Sequence, residues 1–140
     1  MAEYPNSFPN PGRIGSRVLY CLAEYDVKDI MQKRQAAGTA VRNGNAPKEG
    51  DVVPGIIIKD WNMTMDLDWA RDHMFDSAGE TLPDDVLKKR LKIFNDERER
   101  TSSVNLQVFL DGNDSYWLTS RGMYLPEIHD SEKGHWVYDY

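Results

Sequence analysis

Apolar and polar residues alternate at positions 104–110, and a period of two is the pattern of a half-buried β-strand. Residues 111–114 (Asp-Gly-Asn-Asp) have the composition of a tight turn, and the aromatic stretch 116–120 follows. The pattern predicts a β-hairpin in the second half of the chain. The aromatic residues 134–140 are expected to be extended.

Two earlier apolar runs, residues 17–22 and 52–61, are rich in the residue types that favour strands. Pro54 lies inside the second run and lacks the N–H that a sheet ladder needs. We therefore expect Pro54 at a strand start, a bulge or a sheet edge.

A helix is predicted between these runs, over residues 24–37. Its apolar residues recur at helical spacing: Val27, Ile30 and Met31. Arg34 continues this stripe, which is the face expected to pack on the sheet. Because an unpaired buried guanidinium is costly, Arg34 needs an acidic partner, such as Asp111, or an anionic ligand.

Residues 62–103 are predicted to be mainly helical. The pattern at 62–76 fits a strand or a helix, and a helix from about residue 66 is favoured because Asp-rich strands are rare. Thr81 followed by Pro83 predicts the start of a second helix, which runs to about residue 99. One face of that helix is apolar: Leu87, Leu91 and Phe94.

The predicted class is α+β: a small, mainly antiparallel sheet with one packed N-terminal helix, a helical insertion and a C-terminal hairpin. One domain is expected over residues 1–140. Its segments are an extended arm (1–12), a strand-helix-strand unit (13–61), the insertion (62–103), and the hairpin with the aromatic tail (104–140).

Charge and composition narrow the possible partners. The 140 residues carry 17 Lys+Arg against 23 Asp+Glu, a net charge of −6, so a DNA or RNA polymer is not an expected partner. A single cysteine excludes a disulfide within one chain, and no apolar run is long enough to span a membrane. The chain is therefore expected to be soluble and intracellular, with no membrane partner.

No recognised catalytic motif occurs in the sequence, so we predict a protein that is not an enzyme and has no cofactor. His129 and His135 are six residues apart with carboxylates between them, but this spacing matches no standard metal site, and no metal is expected.

Groups suited to binding a nucleotide are concentrated in the hairpin. They are Asn113, Asp114, Ser115, Tyr116, Trp117, Thr119, Ser120 and Arg121. Amides and carboxylates bind base edges and ribose hydroxyls, aromatic rings stack on bases, and arginine binds phosphate through two hydrogen bonds. A turn with a core tryptophan and surface hydroxyls is the alternative explanation, and both remain open.

The block Q-V-F-L-D-G-N-D-x-x-W-x-T-S, residues 107–120, resembles a phage-encoded anti-Thoeris nucleotide-sponge family. The resemblance covers residues 13–61 and 104–121, and 62–103 is an insertion relative to it. The ending departs from the family pattern, since Met123-Tyr124-Leu125-Pro126 intervenes and Val137 follows Trp136.

The resemblance implies an anti-defence protein that acts in the host bacterial cytoplasm. It would sequester a cyclic nucleotide immune signal, a cyclic ADP-ribose isomer or a cyclic oligonucleotide, without cleaving it, and it would form a homo-oligomer. Seven residues are the candidate ligand-binding set: Arg34, Phe109, Asn113, Asp114, Trp117, Thr119 and Arg121. The expected roles are stacking for the aromatics, hydrogen bonds to base or ribose for Asn113 and Asp114, and phosphate binding for the arginines. A phage virion component or a protein-interaction module is the alternative function.

Overall fold

The computed structural model describes residues 7–9, 13–36, 46–111 and 114–140. Within these ranges the strands are β1 (Ser7–Pro9), β2 (Arg17–Cys21), β3 (Val52–Asp60), β4 (Met63–Met65), β5 (Val104–Asp111), β6 (Asp114–Met123) and β7 (His135–Tyr138). The helices are α1 (Glu24–Ala36), α2 (Leu67–His73) and α3 (Asp84–Thr101). The class is α+β, as the sequence predicts.

The sheet closes into a barrel in the order β2, β3, β5, β6 and β7. Neighbouring strands are antiparallel except β6 and β7, which are parallel. The expected small sheet is therefore corrected to a closed barrel. The physical reason lies in residues 135–138, expected only as part of an extended tail, because they pair with β2 on one side and with β6 on the other.

Alternation along the strands fills the barrel with apolar side chains. The inward set includes Val18, Tyr20, Ile57, Leu106, Val108, Leu118 and Trp136, all buried. Glycine at position 55 leaves room for the close approach of β3 and β5, since a Cβ there would be only 2.9 Å from the carbonyl oxygen of Gln107. Pro54 is the third residue of β3 and is paired with Leu19 of β2, but it lies one residue outside the ladder between β3 and β5, which begins at Gly55.

The hairpin is confirmed, and it is longer than the pattern predicts. A register shift interrupts β5 and β6 near Asn105, whose side-chain oxygen accepts hydrogen bonds from the Ser120 backbone (3.0 Å) and the Trp61 indole (2.9 Å). Ser120 has φ +56°, a left-handed conformation that costs a non-glycine residue energy. Asn105 thus stabilises the irregularity that precedes Arg121.

Helix α1 matches the prediction through Ala36, and residue 37 is outside the described residues. Its buried residues are Asp26, Ile30 and Arg34, so the stripe does face the barrel. The N-terminal arm is described only at residues 7–9, where β1 pairs with β4 of the insertion.

The insertion leaves and rejoins the barrel at adjacent points, because Asp60 and Val104 are register partners. Helix α2 begins at Leu67, and Asp66 accepts a hydrogen bond from the Trp69 backbone as its N-cap. The predicted cap at Thr81 is wrong. Helix α3 begins at Asp84 after Pro83, because Thr81 is bridged to Phe75 instead.

Arg13 fastens the insertion to the barrel. Its guanidinium donates to both carboxylate oxygens of Asp60 (2.8 and 2.6 Å), to the Glu99 carbonyl (2.7 Å) and to the Ser102 hydroxyl (2.9 Å). The Arg13 and Asp60 side chains are both buried. One cation therefore joins the end of β3 to the last turn of α3.

We expect Arg13→Met to lower the free energy of unfolding by about 3–5 kcal/mol, because it leaves the Asp60 carboxylate buried without its partner. Arg17→Met is the matched control, since Arg17 is exposed. Chemical denaturation of both variants measures the difference. Equal losses would show that the Arg13 contacts are energetically unimportant.

Candidate functional site

The candidate residues of the hairpin divide between its two faces. Phe109 is opposite Ser115, and Gln107 is opposite Trp117, so these four side chains share one face. That face points outward, because Trp117 is 55% exposed whereas the adjacent Leu118 is buried in the core. Thr119 is exposed and follows Trp117 by two residues, which places it on the same outer face.

Arg34 lies at the opposite, inner face of the hairpin, at the start of β6. Its Nε donates to the Tyr116 hydroxyl (2.8 Å) and its Nη2 to Asp114, and Tyr116 in turn donates to Asp114. Burial opposes the charge on Arg34, but the bonds to Tyr116 and Asp114 outweigh it and raise its pKa. Asp114 is thus an acidic partner of Arg34, and the side chain of Asp111, the partner suggested by the sequence, lies outside the described residues.

Arg121 is also bonded within the chain. It donates to Asp26 (2.7 Å) and to the Tyr20 hydroxyl (2.8 Å), and its guanidinium lies 5.1 Å from the centre of the Tyr25 ring. Tyr20 donates to Asp26 as well, at 2.5 Å. Burial and then the bond to Asp26 raise the pKa of Tyr20. This network joins α1 to β2 and β6.

Lys33 is a site residue that the sequence analysis missed. Its ammonium donates to the Trp117 carbonyl at 2.8 Å and pairs with Asp29 at 2.9 Å. The last turn of α1 therefore places two cations, Lys33 and Arg34, along residues 114–117 of β6. The basic residues at the end of the helix were visible in the sequence, but their proximity to the hairpin was not.

The structure thus brings Arg34 together with Asp114 and places Phe109, Trp117 and Thr119 on one outer face, whereas Arg121 joins a separate network around Asp26. Asn113 lies outside the described residues. In the described part of the chain, no three His, Cys, Asp or Glu side chains cluster as a metal site would require.

Comparison with known proteins found no matching family model, no matching curated protein and no matching solved structure. Within the described residues, no helix is both long enough and apolar enough to cross a membrane.

His129 and His135 stack on each other, with ring centroids 3.8 Å apart. Nδ1 of His129 accepts a hydrogen bond from the Leu125 backbone (2.9 Å), and His135 begins β7. Burial, and secondly the neighbouring His129, lower the pKa of His135 below its ordinary value of 6.5. The neighbouring His129 ring therefore opposes a proton on His135.

We expect acidification to destabilise the protein through His135. Because its pKa is lower in the folded chain, the unfolded chain binds the proton more readily, and this contribution to stability is lost as the pH falls below 6.5. Thermal unfolding one pH unit above and one below that value should differ more for the wild type than for His135→Gln. His73→Gln, at an exposed position, is the control. Identical pH dependence in wild type and His135→Gln would contradict the expectation.

Proposed function

We propose that the protein binds a cyclic nucleotide signal on the outer face of the hairpin and sequesters it without cleaving it. The observation that carries this proposal is the Trp117 side chain, which is about half exposed on β6. The Lys33 ammonium donates a hydrogen bond to the backbone carbonyl of the same residue, Trp117. An exposed indole beside a cation suits a base and a phosphate of one ligand. The resemblance of residues 107–120 to the nucleotide-sponge family supports the same ligand class.

Each group has a distinct task in this proposal. Trp117 stacks on a base, Phe109 extends the apolar surface, and Thr119 hydrogen-bonds to the ligand. Lys33 is about half exposed and attracts phosphate. Arg34, ion-paired with Asp114, fixes the start of β6 from behind the strand. Arg121 acts through its bonds to Asp26, which fix α1 against the barrel.

Capture and release test the function directly. Purified protein is incubated with the cyclic ADP-ribose isomer made by a TIR-domain enzyme. Filtration then separates the free ligand, in the filtrate, from the retained protein with its bound ligand. The retained protein is finally denatured by heat. We expect the ligand to be depleted from the filtrate and recovered intact after denaturation. Recovery of a changed product would indicate an enzyme. No depletion, also with cyclic oligonucleotides, would contradict the proposal and favour a virion component or a protein-interaction module.

Two tryptophans of similar exposure locate the site. Trp117→Ala should weaken ligand binding by about 1–3 kcal/mol, the value of one stacked base. Trp61→Ala is the matched control, since Trp61 is 49% exposed but lies in the segment that follows β3, and its variant should bind with wild-type affinity. Isothermal titration calorimetry on folded protein measures both. Equal weakening in the two variants would place the ligand away from Trp117.

A further inference from the structure

Helix α3 carries an apolar residue in the middle of its solvent-facing side. Ile93 is 70% exposed, although it lies halfway along the helix Asp84–Thr101. The opposite side of α3 is already occupied, because Leu87 is buried and Phe94 stacks on Trp69 of α2. Ile93 therefore belongs to a second face, which has no partner among the described residues.

Charged residues flank Ile93 in a regular arrangement. At about 100° per residue, Arg90 and Glu97 lie roughly 40–60° to one side of Ile93. Lys89 and Asp96 lie at similar angles on the other side. All four residues are exposed. On each side, a basic residue precedes Ile93 and an acidic residue follows it.

We propose that this face binds a second copy of the chain, with the two α3 helices antiparallel about a two-fold axis beside Ile93. In that arrangement the two Ile93 side chains contact each other. Arg90 faces Glu97 of the partner subunit, and Lys89 faces Asp96 of the partner subunit. By symmetry, the contact contains four pairs of opposite charge around an apolar centre.

The charge order selects the antiparallel arrangement. A parallel pair of helices would instead place Lys89 beside Arg90 of the partner subunit, and Asp96 beside Glu97 of the partner subunit. Both contacts would join like charges and oppose association. Complementarity thus exists for one orientation of a second copy and not for the other.

The apolar surface is larger than Ile93 alone. A groove of about 600 Å³ opens beside it between α3 and the residues after α2, and Phe75, 46% exposed, is part of its wall. Arg90 and Glu97 line the same groove. A partner helix packed on Ile93 would also cover the edge of this groove, so that Ile93 and Phe75 both lose contact with water. The hairpin is a separate surface from this face of α3, so a test of the contact between two copies does not depend on whether the hairpin binds a nucleotide.

Charge exchange tests the arrangement. Arg90→Glu should weaken association by about tenfold or more, because it sets two carboxylates together at two places. The double variant Arg90→Glu with Glu97→Arg should restore association, since the exchanged charges again meet across the axis. Residues seven apart do not pair along one helix through the i,i+3 or i,i+4 contacts, so the rescue must come from the partner. Sedimentation equilibrium measures the mass against the 16.1 kDa chain.

Two further variants complete the experiment. Lys88→Glu makes the same change of sign on α3 about 140° from Ile93, and it should leave association unchanged. Ile93→Asp should give a monomer whose thermal unfolding, extrapolated to zero protein concentration, matches that of the wild type. The proposal is overturned if the wild type has the mass of one chain at micromolar concentration. It is also overturned if the double variant dissociates as readily as Arg90→Glu.

Discussion

Closure of the barrel by β7 is the constraint on which the remaining structure depends. Without β7, the backbones of β2 and β6 would each present an unpaired edge. Trp136 fills the barrel from this strand, donates to the Arg121 carbonyl at 3.0 Å, and lies 5.8 Å from the Arg13 guanidinium across its ring. The strand that completes the sheet therefore also orders the two arginines that fasten α1 and the insertion.

Parallel pairing of β6 with β7 needs a connection that crosses one end of the barrel, because a tight turn joins only antiparallel neighbours. Residues 124–134 supply it, and the stacked pair His129 and His135 lies on this segment and at the start of β7. The histidines first considered as metal ligands thus pack the crossover against the strand that follows it. This contact depends on protonation through His135, whose pKa is lowered in the folded chain.

Local patterns predicted the elements that are stabilised locally. The alternation at 104–110 and the helical spacing at 24–37 correspond to β5 and α1, because each element's own side chains determine its buried face. Closure was not predictable in this way, since the pairing of Val18 with Tyr138 joins distant parts of the chain. Thr81 misled for a related reason: it is a good cap by residue type, but its backbone is engaged by Phe75.

The same limit applies to the candidate site. Because side chains alternate between the two faces of a strand, Trp117 and the adjacent Tyr116 must lie on opposite faces. The sequence alone therefore allowed the candidate residues to be divided into an outer and an inner group. The partner of Arg121 was not available, because Asp26 is brought to it only when α1 packs beside β6. Sequence reasoning selected residues whose chemistry suits a nucleotide, and the fold determines which of their charged groups are bonded within the protein.

The adjacency of Asp60 and Val104 has a consequence for how such a chain can change over time. A short connection would be enough to join these two neighbouring strands. For the pairing of β3 with β5, the segment from Trp61 to Ser103 is therefore equivalent to one long loop. Since the entropy of closing a loop grows slowly with its length, segments of very different size can occupy this place at modest energetic cost. The barrel then acts as a fixed frame, and the segment between β3 and β5 is where new surfaces can be acquired without altering the hairpin.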